Sequence, residues 1–253
     1  MGEAASRPRR RREKTFGWHV LAAVVVPWLL LLARYRIRHG ERLPREGAFV
    51  LAPNHYSNLD PVTTGYLVWK LGRVPRFLAK ASLFRVPVVG WVLRRTGQIP
   101  VERQGSGHSR QPLAAAAHLV DDGLAVIIYP EGTLTREPDL WPMRGKSGAV
   151  RMALEHDVPL IPMAHWGVQR ILPRYSKRLS VFPRKDVEAI IGEPVDLARF
   201  RGKPITHELL AEATDVVMAE ITRLLAELRG EPAPLERWNP SAHGQSEIGR
   251  FEG

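Results

Sequence analysis

Three stretches of the chain are apolar almost without a break, and each ends in a polar loop: FVLAPN at 49–54, LAVIIYPEG at 124–132 and VPLIPMAHWG at 158–167. Runs this short and this uniform suit strands covered on both faces, because a strand with one wet face alternates. Stretches of helical character separate them: PVTTGYLVWKLG at 61–72, VVGWVLRRTG at 88–97, QPLAAAAHLVDDG at 111–123 and GAVRMALEHD at 148–157. Glycine closes the first three. PRFLAKASLF at 75–84 opens as a strand, QIPVER at 98–103 reads as a short strand or turn, and RLSVFPRKDVEAIIGEPV at 178–195 carries two more short strands. A long amphipathic helix fills 205–230. This alternation predicts an α/β fold with a mostly parallel or mixed central sheet covered by helices. Such sheets place their chemistry in the loops beyond the carboxyl ends of the strands.

The formal net charge of +11 invites a nucleic-acid reading, but its location argues otherwise. Residues 1–45 carry 11 Lys/Arg against 3 acids, while the other 208 residues have a net charge of only +3. Within the basic region lies WHVLAAVVVPWLLLLA, 16 residues from Trp18 to Ala33, or roughly 24 Å as a helix. That is short of the roughly 20 residues of a bilayer span. Cleavable signal, single span and interfacial helix all compete for this segment. LLARYRIRHG offers no small-residue cleavage site, and basic residues flank the run on both sides, which weakens a span. An interfacial helix with its arginines on anionic headgroups fits best. The expected organisation is therefore a membrane-associated helical region at 1–45, an α/β domain at 46–230 and a flexible tail at 231–253. The expected location is the cytoplasmic face of a membrane, with an anionic membrane surface as partner and no nucleic acid.

The absence of cysteine removes disulfides, thiolate catalysis and cysteine-ligated metals. RGKS at 144–147 resembles the end of a phosphate-binding loop, but Leu140 stands where the earlier glycine is required. There is no GxGxxG, HExxH or GxSxG. The expectation is no metal and no cofactor.

What remains is Pro53-Asn54-His55-Tyr56-Ser57-Asn58-Leu59-Asp60, at the end of the first apolar run. A histidine and a carboxylate five residues apart meet if Asp60 starts the next helix. Either Ser57 caps it with Asp60 closing a capping box, or Asp60 caps it with Pro61 at the first helical position. Asp60 then accepts one imidazole proton, leaving the other nitrogen of His55 as a base toward a hydroxyl. Taken alone, such a pair equally serves the turn. A second cluster, Tyr129 to Glu137, also follows a strand. Gly132 permits close backbone approach there, while Glu131, Thr133 and Arg136 present polar groups. Arg103 is a candidate phosphate fork, with Lys80 and Arg144 as further cations.

Over residues 35–225 the chain resembles the glycerolipid acyltransferases, which include the 1-acylglycerol-3-phosphate acyltransferases. Four ordered blocks carry the likeness: Asn54-His55 through Asp60; Gly97, Ile99 and Arg103; Tyr129 through Thr133 in place of PheProGluGlyThr; and Val158-Pro159-Leu160-Ile161-Pro162. Leu134 stands where the family often has arginine, and Pro100 where an aromatic is common. The resemblance implies His55 as general base and Asp60 as its orienting partner. It implies acyl-CoA or acyl carrier protein as the thioester donor and a lysophospholipid as acceptor. Arg103 would bind the acceptor phosphate, Glu131 and Gly132 would shape the acceptor pocket, and Asn54 joins the binding group. Another glycolipid or aminolipid acceptor, or a non-catalytic peripheral membrane protein, is the alternative.

Overall fold

The computed structural model describes residues 13–101 and 110–246. The arginines between Arg7 and Arg12 lie outside them. Five strands form the main sheet in the order β1-β7-β6-β2-β5. They are β1 (Ala33–Arg38), β2 (Phe49–Pro53), β5 (Ala125–Ile127), β6 (Leu160–Trp166) and β7 (Lys185–Ile191). β3 (Leu78–Lys80) and β4 (Ile99–Val101) pair in parallel as a small second sheet, linked to β5 by a bridge from Phe77 to Ile127. All pairs in the main sheet are parallel except β6 with β7.

Alternation along β2 separates the two cores, as a strand buried on both faces requires. Phe49 and Leu51 face α1 (Phe16–Leu32) and α2 (Asp60–Lys70), beside Leu29, Leu32, Leu67 and Val68. Val50 and Ala52 face the other layer, where Ala116 and Val120 of α4 (Arg110–Asp121), Met152 of α5 (Gly148–Glu155) and Val217 of α6 (His207–Arg229) pack. The remaining helix, α3 (Pro87–Arg95), follows the β3 turn and leaves Val88 and Trp91 exposed.

The antiparallel β6–β7 pair decides what lies near the strand ends. Trp166 at the carboxyl end of β6 aligns with Glu188, so β7 starts at the end of the sheet where β2, β5 and β6 finish. β1 runs parallel to β7 with Ala33 opposite Lys185, which brings the end of α1 there too. Gly167 makes the exit from β6 possible: its φ is +110°, and a Cβ would sit 2.2 Å from the Asp186 carbonyl oxygen.

Three features depart from the sequence expectations. Strand β1, ARYRIR, lies within the stretch grouped with the anchor, and its burial alternates. Its arginines face outward, Arg36 and Arg38 pairing with Glu188 and Arg38 also with Glu227. The basic flank after the apolar run is thus an edge strand. Conversely, 178–195 yields one strand rather than two. Residues 178–184 are largely exposed, and Pro183 has no N–H to donate to a ladder. Residues 231–246 contact the domain, with Arg237 on Asp215 and the Trp238 carbonyl accepting the Arg144 amide.

α1 keeps its helical path through Pro27 and is apolar all round. Its start is tied down by Glu13, whose carboxylate accepts from Arg73 Nη2 at 2.9 Å and the Val74 amide at 3.2 Å. The Lys14 ammonium sits 4.3 Å from the Trp69 ring centroid. Among the described residues no helix is long and apolar enough to cross a membrane.

Candidate active site

His55 follows β2 directly, and Asp60 is the first residue of α2, with Leu59 before it as cap and Pro61 in the first turn. Neither expected cap is realised in full. Asp60 Oδ2 accepts the Ser57 amide at 2.7 Å, half of a capping box, but Ser57 Oγ accepts the Leu59 amide instead of that of Asp60. The same Oδ2 accepts the Tyr56 amide at 2.7 Å and meets His55 Nδ1 at 3.0 Å. With two backbone donors fixing it, the carboxylate can only accept from the ring. Nδ1 therefore carries a proton, and Nε2 is the basic nitrogen. The imidazole also stacks on Tyr129, centroids 4.2 Å apart.

Behind the pair, the Asn54 side chain continues the β2–β6 pairing. Its Nδ2 donates to the His165 carbonyl at 3.1 Å, and its Oδ1 accepts the His165 amide at 2.9 Å. Both ends of the amide are thus engaged with backbone, so in this structure Asn54, expected to bind substrate, joins β2 to β6. The ring of His165 is fully buried, and burial lowers its pKa. Its Nε2 lies 3.1 Å from the Asn54 carbonyl and its Nδ1 2.8 Å from Tyr56 Oη. The neutral tautomer that satisfies both donates from Nε2 and accepts the tyrosine proton at Nδ1.

Glu131 is a clasp between loops. Its carboxylate accepts the His55 amide at 2.8 Å and the Met143 amide at 3.2 Å. Burial pushes its pKa up to about 8 against the opposing pull of those amides. Gly132 has φ +69°, and a Cβ there would meet Lys146 Cδ at 3.1 Å. Glu131 and Gly132 thus hold the loop's shape, and Thr133 reaches the cavity wall.

In front of His55 lies a cavity of about 1310 Å³, above the roughly 300–1,000 Å³ of a small-ligand pocket. Trp18, Leu21 and Val25 of α1, Trp69 of α2, Phe77 and Leu93 give it largely apolar walls, and Lys80, Arg85 and Lys177 add positive charge. The expected cations divide accordingly. Lys80 lines the cavity, and Arg103 lies outside the described residues. Arg136 is buried and donates to Tyr175 Oη at 3.3 Å, while Arg144 is exposed and anchors the C-terminal segment by its amide on the Trp238 carbonyl. Neither Arg136 nor Arg144 is among the described residues of the wall. Sequence reasoning missed Tyr129 as the surface under the base and His165 as the group behind it. A histidine inside an otherwise apolar strand was the available signal for the second.

A histidine held by a carboxylate at the strand ends of an α/β sheet thus opens onto a largely apolar cavity. The chain belongs to the Acyltransferase family, whose model matches residues 34–166. The chloroplastic 1-acyl-sn-glycerol-3-phosphate acyltransferase BAT2 of Brassica napus is 32% identical over 146 residues, 58% of this chain and 40% of that protein. The 1-acyl-sn-glycerol-3-phosphate acyltransferase of Bacillus subtilis (strain 168) is 32% identical over 199 residues, 78% of this chain and 90% of that one. The crystal structure of the 1-acyl-sn-glycerophosphate acyltransferase PlsC from Thermotoga maritima shares the fold, with a TM-score of 0.61 over 89% of this chain and 86% of that one at 24% identity.

Proposed function

We propose that the chain transfers a fatty acyl group from an acyl-CoA or acyl-carrier-protein thioester to the free hydroxyl of 1-acyl-sn-glycerol-3-phosphate, giving phosphatidic acid. The observation that carries this reading is the 3.0 Å contact of His55 Nδ1 with Asp60, which leaves Nε2 as the base of a residue lining the apolar cavity. Nε2 takes the acceptor's hydroxyl proton as the oxygen attacks the thioester carbonyl carbon. Asp60 stabilises the imidazolium without taking its proton. As the tetrahedral adduct collapses, the carbon–sulfur bond breaks and His55 returns the proton to the departing thiolate.

The adduct's oxyanion needs donors. The His55, Tyr56, Ser57 and Gly132 amides already serve Glu131, Asp60 and the Tyr129 carbonyl. The Thr133 amide is our candidate within the 131–133 loop. A 16-carbon chain leaving water has of order 10 kcal/mol available, at about 0.8 kcal/mol per methylene, which favours the apolar cavity as its site. Lys80, Arg85 and Lys177 supply charge for the acceptor phosphate, together with Arg103. In this reading α1 lies on an anionic membrane surface at the cytoplasmic side, supported by its exposed apolar residues, and the reaction uses no cofactor. The test is mass-detected acyl transfer by the purified chain across a panel of lysophosphatidate, other lysolipids and aminolipids, with both donors. Preferential lysophosphatidate acylation supports the reading; preference for another lipid acceptor moves it to the glycolipid or aminolipid alternative, and no thioester consumption with any acceptor overturns it.

A further inference from the structure

Residues 177–185 read Lys-Arg-Leu-Ser-Val-Phe-Pro-Arg-Lys. Phe182 is 89% exposed, Leu179 49% and Val181 48%. Lys177, Arg178 and Arg184 are exposed around them, and the segment holds no acid. Its base is fastened: the Ser180 amide donates to the Ile171 carbonyl at 2.8 Å, and Arg184 Nη2 donates to the Ala33 carbonyl at 3.1 Å. The apolar tip is therefore presented by an anchored loop.

Its position gives the tip a meaning. Ala33 directly follows α1, whose Trp28 and Leu31 are 66% and 58% exposed, so the loop extends the apolar surface of that helix. At its other end, Tyr175, Ser176 and Lys177 line the catalytic cavity. The loop thus runs from the cavity wall to the end of α1, at the end of the sheet where β7 begins. We infer that residues 177–185 are a second lipid-contacting element: Leu179, Val181 and Phe182 enter the acyl boundary of an anionic bilayer, while Lys177, Arg178 and Arg184 meet headgroup phosphates. Charge complementarity and continuity with α1 select a bilayer: the apolar tip carries a cationic ring with no acid in the segment. The inference rests on the lipid-substrate reading and extends it to a surface outside the N-terminal helix.

The cysteine-free sequence makes the test direct. Full-length Phe182→Cys, Val24→Cys on α1 and Ala211→Cys on the opposite layer each receive one environment-sensitive fluorophore. They are mixed with vesicles of phosphatidylglycerol and phosphatidylcholine containing bromolipid. Quenching at 182 and 24 but not at 211 is expected. Quenching at 24 alone overturns the loop while sparing α1, and no quenching at either overturns both. In unlabelled protein, Leu179→Ser/Val181→Ser/Phe182→Ser should lower partitioning into these vesicles by about tenfold or more. It should leave acyl transfer to a short-chain, water-soluble acceptor unchanged. An equal loss on the soluble acceptor would assign the loop to the fold and defeat the inference. If the parent chain transfers no acyl group but position 182 is quenched, the lipid contact stands and the enzymatic reading fails.

Discussion

Asp60, at the start of α2, and Glu131, in the loop after β5, are carboxylates of 0% and 1% exposure that follow short apolar strands, yet they hold different partners. Asp60 faces an imidazole nitrogen and two amides of its own turn; Glu131 faces two amides, from segments 76 and 12 residues away in sequence, and the Thr135 hydroxyl, with no imidazole. The first can stabilise a charge that appears during a reaction. The second fastens the base-bearing loop to the 131–143 loop. A buried carboxylate takes its role from its partner, since the two are buried alike.

The comparison breaks most decisively at the base itself. His55→Ala and Asp60→Asn should each lower turnover by about 10⁴, the scale seen when the aspartate of a serine-protease triad is neutralised, with circular dichroism unchanged. Near-normal turnover in both would remove the pair from the chemistry. Asn54→Ala should lower stability by at least about 2 kcal/mol in urea titration, because a buried amide and carbonyl of β6 lose their partners. An unchanged midpoint would show that water replaces the side chain.

Glu131→Gln should reduce turnover by less than about tenfold, because the neutral side chain keeps one oxygen to accept from the loops and leaves only one of the His55 and Met143 amides without its partner. With a folded pKa of about 8 against an ordinary 4.5, Glu131 retains its proton in the fold where the unfolded chain has lost it. Its contribution to stability therefore falls as pH rises from about 4.5 through about 8. Melting curves across that window should show a shallower fall in the glutamine variant, and parallel curves would contradict the assignment. His165 acts in the opposite direction: burial lowers its pKa, so the stability it supports is present above its ordinary 6.5 and lost as pH falls below it. Tyr129→Phe should have the smallest effect, about 1 kcal/mol or less, since it loses one bond to Thr64 Oγ1 and keeps the ring beneath His55. A large loss of turnover there would give the hydroxyl a role that the stacking does not.

Burial on both faces made β2 and β6 legible as uninterrupted apolar runs. β1 was not, because an edge strand with arginines on its wet side resembles a charge cluster until Glu188 and Glu227 are brought beside it. The His55–Asp60 pair was legible because both residues belong to one short turn. The surroundings of Arg136 and Arg144 were not legible for the converse reason: the contacts of a loop residue depend on residues far along the chain, Tyr175 for the Arg136 guanidinium and the Trp238 carbonyl for the Arg144 backbone amide.

The sequence by itself determined the layered α/β class and the pairing of His55 with Asp60 in the turn after β2, since each is set by local periodicity or short spacing. Only the tertiary structure decided that Glu131 clasps two loops, which cations line the cavity, and that the end of α1 and the 177–185 loop meet at the end of the sheet where β2, β5 and β6 finish. Those outcomes depend on the antiparallel turn of β7 against β6 and on contacts between residues distant in the chain, and no local pattern encodes them.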